Sequence, residues 1–326
     1  MKNKRRTVLK QFTAGAIVAA SFAAPRVFAQ AHPLMVVVPF GPGGSSDMVA
    51  RIISEQLAQD LGRTVVIDNK PGATGAIGAS AVARAKPDGD TMLIASIGVY
   101  AINPALHKKL AYNPQKDFTL LTEAVRTPNV LVTHADFPAN SVPELIEILK
   151  KNPGGISFAS GGLGSSEHLN TELFWQETKT QGLHVPYKGS GQAVSDLLAA
   201  HVDVGFLNLS AVSAHVKAGK LKALAITSNA QSALLPGVPT MAQAGVAGLE
   251  VYSWQGIAMP NGIDAQIAGT IQTALVKTLR TPEVEKQLTE QGFQVVASSQ
   301  ADFQKFVADE ITRWKKVVDT AQIKID

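Results

Sequence analysis

Short apolar runs alternate with stretches of helical periodicity along most of the chain, and this alternation predicts an α/β protein. Residues 35–38 (Met-Val-Val-Val) read as a buried strand. Val49, Ile52, Ile53, Leu57 and Leu61 then recur at helical spacing, with Gly62 as the stop. Residues 64–67 and 92–95 are further strands. A second series begins near residues 130–132. Ser141-Val142-Pro143-Glu144 is a capping box that opens a helix ending before Asn152-Pro153-Gly154. A strand at 156–159 precedes a helix marked by Leu169, Leu173 and Phe174, and strands at 202–207 and 221–227 follow. Thr281-Pro282 starts a helix that stops at Gly292, and Phe303, Phe306, Val307, Ile311, Trp314 and Val318 mark a last one. These stripes read as core-packing faces, and no low-complexity linker divides the series.

The informative feature of the pattern is a pair of strand-to-helix turns. Pro39-Phe40-Gly41-Pro42-Gly43-Gly44-Ser45-Ser46-Asp47 follows the first strand, and Ser160-Gly161-Gly162-Leu163-Gly164-Ser165-Ser166-Glu167-His168 follows the strand at 156–159. Both contain Gly-Ser-Ser followed by an acid. Glycine lets backbone bend and approach a ligand closely. A serine at a helix start caps it or points its hydroxyl outward. Unpaired N–H groups and the helix dipole favour an anion there. One such turn is as readily a tight loop; two at equivalent places suggest a cleft in which facing helix ends hold one anionic group. Neither turn has the Gly-Lys-Ser/Thr ending of a phosphate loop, and Gly72-Ala73-Thr74-Gly75-Ala76-Ile77-Gly78 lacks the dinucleotide spacing. A carboxylate fits better than a phosphate.

Charge changes the picture once it is located. The 326 residues carry 30 Lys+Arg and 26 Asp+Glu, a formal net charge of +4. Six of the cations, Lys2, Lys4, Arg5, Arg6, Lys10 and Arg26, fall in residues 1–29, which hold no acid. Without them 24 basic and 26 acidic residues remain, a net of −2, so nucleic acid is not an expected partner. The charged head, the weakly apolar run at 12–24 and the small residues before Gln30 read as a signal peptide over 1–29. Its run is too short for the ~20 residues that span a bilayer. Arg5-Arg6 with Leu9-Lys10 is similar to a twin-arginine export signal, although Lys4 and Val8 depart from the pattern and leave the general secretory route open. Cleavage is expected after Ala29, with Ala31 the alternative, and the compartment is a periplasm. The chain has no cysteine, so no disulfide, thiolate nucleophile or cysteine-bound metal is expected, and the seven histidines show no ligand spacing.

At the two turns the chain resembles the solute receptors of tripartite tricarboxylate transporters, the Bug-type periplasmic binding proteins. Further marks are Asp68-Asn69-Lys70-Pro71-Gly72-Ala73-Thr74-Gly75, Lys86-Pro87-Asp88-Gly89, Asn103-Pro104, His184-Val185-Pro186-Tyr187-Lys188-Gly189-Ser190 and Leu235-Pro236-Gly237-Val238-Pro239-Thr240. The resemblance implies a two-domain α/β binding protein, type II-like, with the ligand in a cleft between the domains. Domain I takes residues 30–127 and 252–326, and domain II takes 128–251. It implies ligand contacts at Phe40, Gly43, Gly44, Ser45, Ser46 and Asp47, at Gly164, Ser165, Ser166 and His168, and secondarily at Ser96 and Asn208. It implies capture of a small organic carboxylate for membrane permease subunits, by a monomer without cofactor, metal or catalytic residue.

Two other readings compete. A serine hydrolase could draw on Ser45, Ser46, Ser165 or Ser166 with His168, His184 or His201, but no Gly-x-Ser-x-Gly elbow is present. A ligand sensor on the same fold would need the same site. Asp47 either faces the cleft or complements the helix dipole, and His168 is more readily structural than a ligand contact.

Overall fold

The computed structural model describes residues 32–187 and 189–323; the export signal assigned to 1–29 and its cleavage points lie outside them. The first series runs β1 (Leu34–Val38), α1 (Ser45–Leu61), β2 (Val65–Asn69), α2 (Ala76–Ala83), β3 (Thr91–Ser96) and a short α3 (Asn103–Leu106), entered through a π-helical turn at Gly98–Ile102. β4 (Phe118–His134) leads into the second: α4 (Val142–Lys151), β5 (Ser157–Ser160), α5 (Ser166–Thr178), β6 (Leu183–Pro186), α6 (Ser190–Leu198), β7 (Val204–Asn208), α7 (Leu209–Lys217) and β8 (Leu221–Ile226). β9 (Tyr252–Pro260), α8 (Ala265–Leu279), α9 (Pro282–Glu290), β10 (Gln294–Val295) and α10 (Gln300–Ala321) complete the order.

The strands hydrogen-bond in the order β2-β1-β3-β9-β4-β7-β5-β6, with β8 and β10 also pairing β4. One pattern is built twice. β1 lies between two parallel neighbours, β2 and β3, and β3 is flanked by antiparallel β9. β5 lies between parallel β6 and β7, and β7 is flanked by antiparallel β4. Parallel strands joined through helices place every turn after β1, β3, β5 and β7 at a carboxyl edge, where open α/β sheets bind ligands.

Several boundaries differ from the apolar runs. β2 continues to Asn69 and β7 to Asn208, because the backbone ladder pairs polar and apolar residues alike: Asp68 and Asn69 stay in register with Val37 and Val38. The run at 130–132 is the end of a 17-residue strand. β4 pairs β9 over Phe118–Pro128 and then β7 and β8 over Asn129–His134, so it serves both strand sets. In α4, Ser141 Oγ accepts from Glu144 N at 3.4 Å, while Glu144 reaches back to Asn140 N at 2.8 Å, one residue upstream of the cap.

α10 ties the two series together. It packs on α3 and the π-helical turn of the first and on α5 of the second, where Gln176 Nε2 donates to Val317 O at 3.1 Å. Buried Glu310, at mid-helix, accepts from the indole N–H of both Trp254 on β9 and Trp314, each at 3.0 Å. Phe303 and Phe306 edge onto Trp254. A long C-terminal helix with an apolar stripe is thereby placed where both series need a partner.

Candidate ligand-binding site

In the first turn Gly43 has φ +85°, a conformation L side chains rarely adopt, and Gly44 caps α1 with no side-chain hydrogen bond. The first N–H groups of α1 therefore have no intrahelical or capping acceptor. Ser45 is half-buried at the first helical position, and its hydroxyl has no protein partner among the described residues. Ser46 is buried and donates to Gln255 Oε1 of β9 at 2.5 Å. Gln255 is the cross-strand partner of Ser96 at the end of β3, which places Ser96 on the same strand pair as the residue that Ser46 engages. The half-buried Phe40 ring lies beside Gly75 and Val99.

Asp47 is turned into the protein. Its carboxylate accepts from Gly43 N at 2.8 Å, Arg51 Nε at 2.8 Å and Nη2 at 3.0 Å, and Asn69 Nδ2 at 3.0 Å. Burial alone would raise its pKa; the hydrogen bonds from Arg51, Gly43 and Asn69 outweigh that and hold it below the ordinary aspartate value. Asn69 also donates to Phe40 O at 3.0 Å.

The second turn is organised around its own acid. Glu167 is buried and accepts from Gly161 N, from Ser190 Oγ at 2.6 Å and from Asn208 N. Burial raises its pKa, with Ser190, Gly161 and Asn208 opposing. The fourth residue of each Gly-Ser-Ser-acid motif thus clamps a backbone N–H of its own turn. The caps differ. Ser165 Oγ accepts from His168 N at 3.1 Å and donates to Gly162 O at 2.8 Å, which engages the hydroxyl within the loop. Gly164, φ +73°, donates to Nδ1 of buried His168 at 3.1 Å. His168 stacks on His184 at 4.0 Å, and His184 Nε2 lies 2.7 Å from Ser160 Oγ. Burial, and secondly the His168 ring, push the His184 pKa down to about 3. Ser160 is fully buried.

The structure therefore gathers the sequence-predicted residues into two matching groups: Phe40, Gly43, Gly44, Ser45, Ser46, Asp47 and Ser96 in one, and Gly164, Ser165, Ser166, His168 and Asn208 in the other. Gly164 abuts Leu106 of α3, so the second turn touches the first series. Among the described residues no hydrogen bond joins the two turns directly. A cavity of about 410 Å³ beside α3, lined by Pro104, His107, Leu110 and Tyr112 among others, contains none of the predicted residues. Sequence reasoning missed Gln255 and Asn129, carboxamides on the antiparallel neighbours of β3 and β7. The loop Gly72–Gly75, noted in the sequence for its glycine spacing but not as part of the site, holds four consecutive residues at positive φ. Thr74 (φ 50°, ψ 33°) is held there by hydrogen bonds of 3.1 Å in each direction with buried Asn103.

Twice-built α/β topology with glycine-serine turns at the carboxyl edges defines a periplasmic-binding-protein fold of the type II-like class. Among the described residues no helix is long and apolar enough to cross a membrane. The profile of the tripartite tricarboxylate transporter family receptor matches residues 49–323, and the chain belongs to that family. It is 36% identical to protein BugT of Bordetella pertussis over 296 residues, 90% of this chain and 91% of BugT. Rpa4515 of R. palustris, solved with adipate, superposes with a TM-score of 0.83 at 36% identity, covering 90% of this chain and 98% of that one. MatC from Rhodopseudomonas palustris, solved with malate, gives 0.80 at 31%, covering 88% and 99%.

Proposed function

We propose that this protein is a periplasmic receptor that captures a small organic carboxylate between its two turns and delivers it to the permease subunits of a tripartite transporter. The observation that carries the reading is the uncapped start of α1, where unpaired N–H groups and the unengaged Ser45 hydroxyl converge at the carboxyl edge of β1. In this reading the carboxylate accepts from that turn, and the N–H groups of Ser166 and Glu167 approach from the second. Neutral donors at two helix starts suffice for an anion. Residues 30–127 with 252–326 and residues 128–251 act as the two lobes, hinged where β4 and β9 pair, and the ligand favours their closed arrangement. The bound adipate and malate of the two relatives support the ligand class. The protein acts as a monomer, without catalysis, after export through a twin-arginine-like signal at 1–29. The serine-histidine pair at Ser160 and His184 is no nucleophile in this reading, since Ser160 is sealed from solvent.

A thermal-shift screen of di- and tricarboxylates tests it. A ligand specific to the folded state raises the midpoint in proportion to the logarithm of its concentration above Kd. At least one acid should do so, and Ser45→Ala should shrink the shift. A flat response across the panel, or serine-dependent ester hydrolysis, would overturn the proposal.

A further inference from the structure

Beneath the second turn, the face of the sheet toward α5 carries polar side chains that the protein leaves without partners. Ser166, Asn170 and Phe174 recur every fourth residue and share one face of α5. Phe174 packs on Phe206 of β7, with ring centroids 5.7 Å apart. Because α5 joins parallel strands β5 and β6, it runs opposite to β7, which is parallel to β5. One turn back from Phe174 is Asn170, and two residues on from Phe206 is Asn208, on the same face of β7. Asn129 of β4 is the direct cross-strand partner of Asn208. Three asparagines therefore converge one layer below Ser166.

Their chemistry is incomplete. Asn129 and Asn170 are fully buried, and neither the nitrogen nor the oxygen of either carboxamide has a hydrogen-bond partner. Asn208 Oδ1 is also buried and unpartnered, as is Thr127 Oγ1 two residues along β4. Native proteins leave few such groups. The first strand set shows the satisfied version: Ser46 donates to Gln255, which faces the end of β3. Ser166 and Asn129 hold the matching places, but asparagine is one methylene shorter and no bond forms. Ser166, buried one helical turn before Asn170 on the same face of α5, lies between the group and the second turn.

We propose that Asn129, Asn170 and Asn208 form a polar wall that recognises a hydroxyl on the bound acid, so that hydroxycarboxylates are preferred over plain aliphatic acids. The wall offers donors and acceptors together, and a hydroxyl uses both. A second carboxylate only accepts and would meet the Asn208 oxygen. An ammonium needs a free acid, and Asp47 and Glu167 are both committed to their turns. Reaching the wall requires the ligand to part the first turn of α5 from the sheet edge. The inference rests on the carboxylate-receptor reading of the same turns.

Calorimetry with matched pairs, malate against succinate and citrate against tricarballylate, tests it. In the wild type the hydroxy acid should bind about tenfold tighter in at least one pair, the order expected for one well-made hydrogen bond. Asn129→Leu and Asn170→Leu should each cut that ratio below about threefold. Their midpoints should hold or rise, since replacing an unpartnered buried amide by an apolar group removes a desolvation cost. Binding of both members of each pair with a wild-type ratio near one would overturn the wall and leave the receptor reading intact. A ratio that persists in both variants would overturn it too. Failure of all four acids, with no shift in the wider screen, would defeat the receptor reading itself.

Discussion

Asp47 and Ser45 stand two residues apart in the same turn and do opposite work. Four hydrogen bonds converge on the Asp47 carboxylate, including one from the backbone of Gly43 and two from Arg51. Removing a buried, charge-assisted partner leaves its donors unsatisfied, at a cost of about 1–3 kcal/mol. Asp47→Ala is therefore expected to lower stability by roughly that amount in urea unfolding. Because the turn loosens as a whole, affinity should drop for every carboxylate alike. Asp47→Asn should also leave the order of ligand preference unchanged, which competition calorimetry checks; a reordered series would place the side chain against the ligand. Ser45→Ala, with no protein partner to lose, should leave stability within about 0.5 kcal/mol of wild type. The contrast between the two substitutions separates holding the turn from using it.

At the scale of elements, the first turn depends on how closely α2 packs behind it. A Cβ on Gly78 would lie 2.8 Å from Pro39 Cβ and 2.9 Å from both Pro39 Cα and Lys70 O. Two of these atoms belong to backbone and cannot rotate away. Gly78→Ala is expected to push α2 off Pro39 and cost about 1–3 kcal/mol, as overpacking does. Carboxylate affinity should weaken with it, as thermal unfolding with and without ligand would report; an unchanged midpoint would mean that α2 is free to shift. The turns themselves were legible in the sequence, because glycine, serine and a following acid are local requirements of a bent backbone at a helix start. The Glu167 clamp was half legible, as the fourth member of a repeated motif. What holds the motifs in place was not. Ser46 and Gln255 lie 209 residues apart, and no local pattern connects them. Asn129 and Asn170 were hidden for a related reason: their importance lies in lacking partners, which only packing reveals. The length of β4 was hidden too, because its first part carries Thr122, Glu123, Arg126 and Thr127 among apolar residues and breaks the strand pattern.

Across the whole molecule, one buried and one half-buried group change proton occupancy in opposite senses on folding. Burial, with Glu310 adding and Arg126 opposing, raises the Glu123 pKa to about 7 from an ordinary 4.5. Glu123 in the folded state therefore keeps a proton that the unfolded chain has lost. Its contribution is fully present below pH 4.5 and disappears as pH rises through 7. His184 runs the other way. Its folded pKa of about 3 lies below the ordinary 6.5, so the unfolded chain protonates first, and stability present above pH 6.5 is lost as pH falls toward 3. Between about pH 4.5 and 6.5 the two slopes oppose each other, each at most roughly 1.4 kcal/mol per pH unit for a single proton. Stability of the wild type should vary less with pH in this window than either group alone would dictate. Relative to wild type, Glu123→Gln should lose stability on acidification from 6.5 to 4.5, and His184→Gln should gain it. Urea unfolding at pH 4.5, 5.5 and 6.5 would show the two differences with opposite sign. Variants that track the wild type at all three values would mean that neither group changes its proton occupancy on folding. Glu123 lies on β4 and packs near Glu310 of α10, where the two series are tied together, whereas His184 stacks beneath the second turn. On acidification the Glu123 contribution at the junction and the His184 contribution beside the binding turn therefore change global stability in opposite directions.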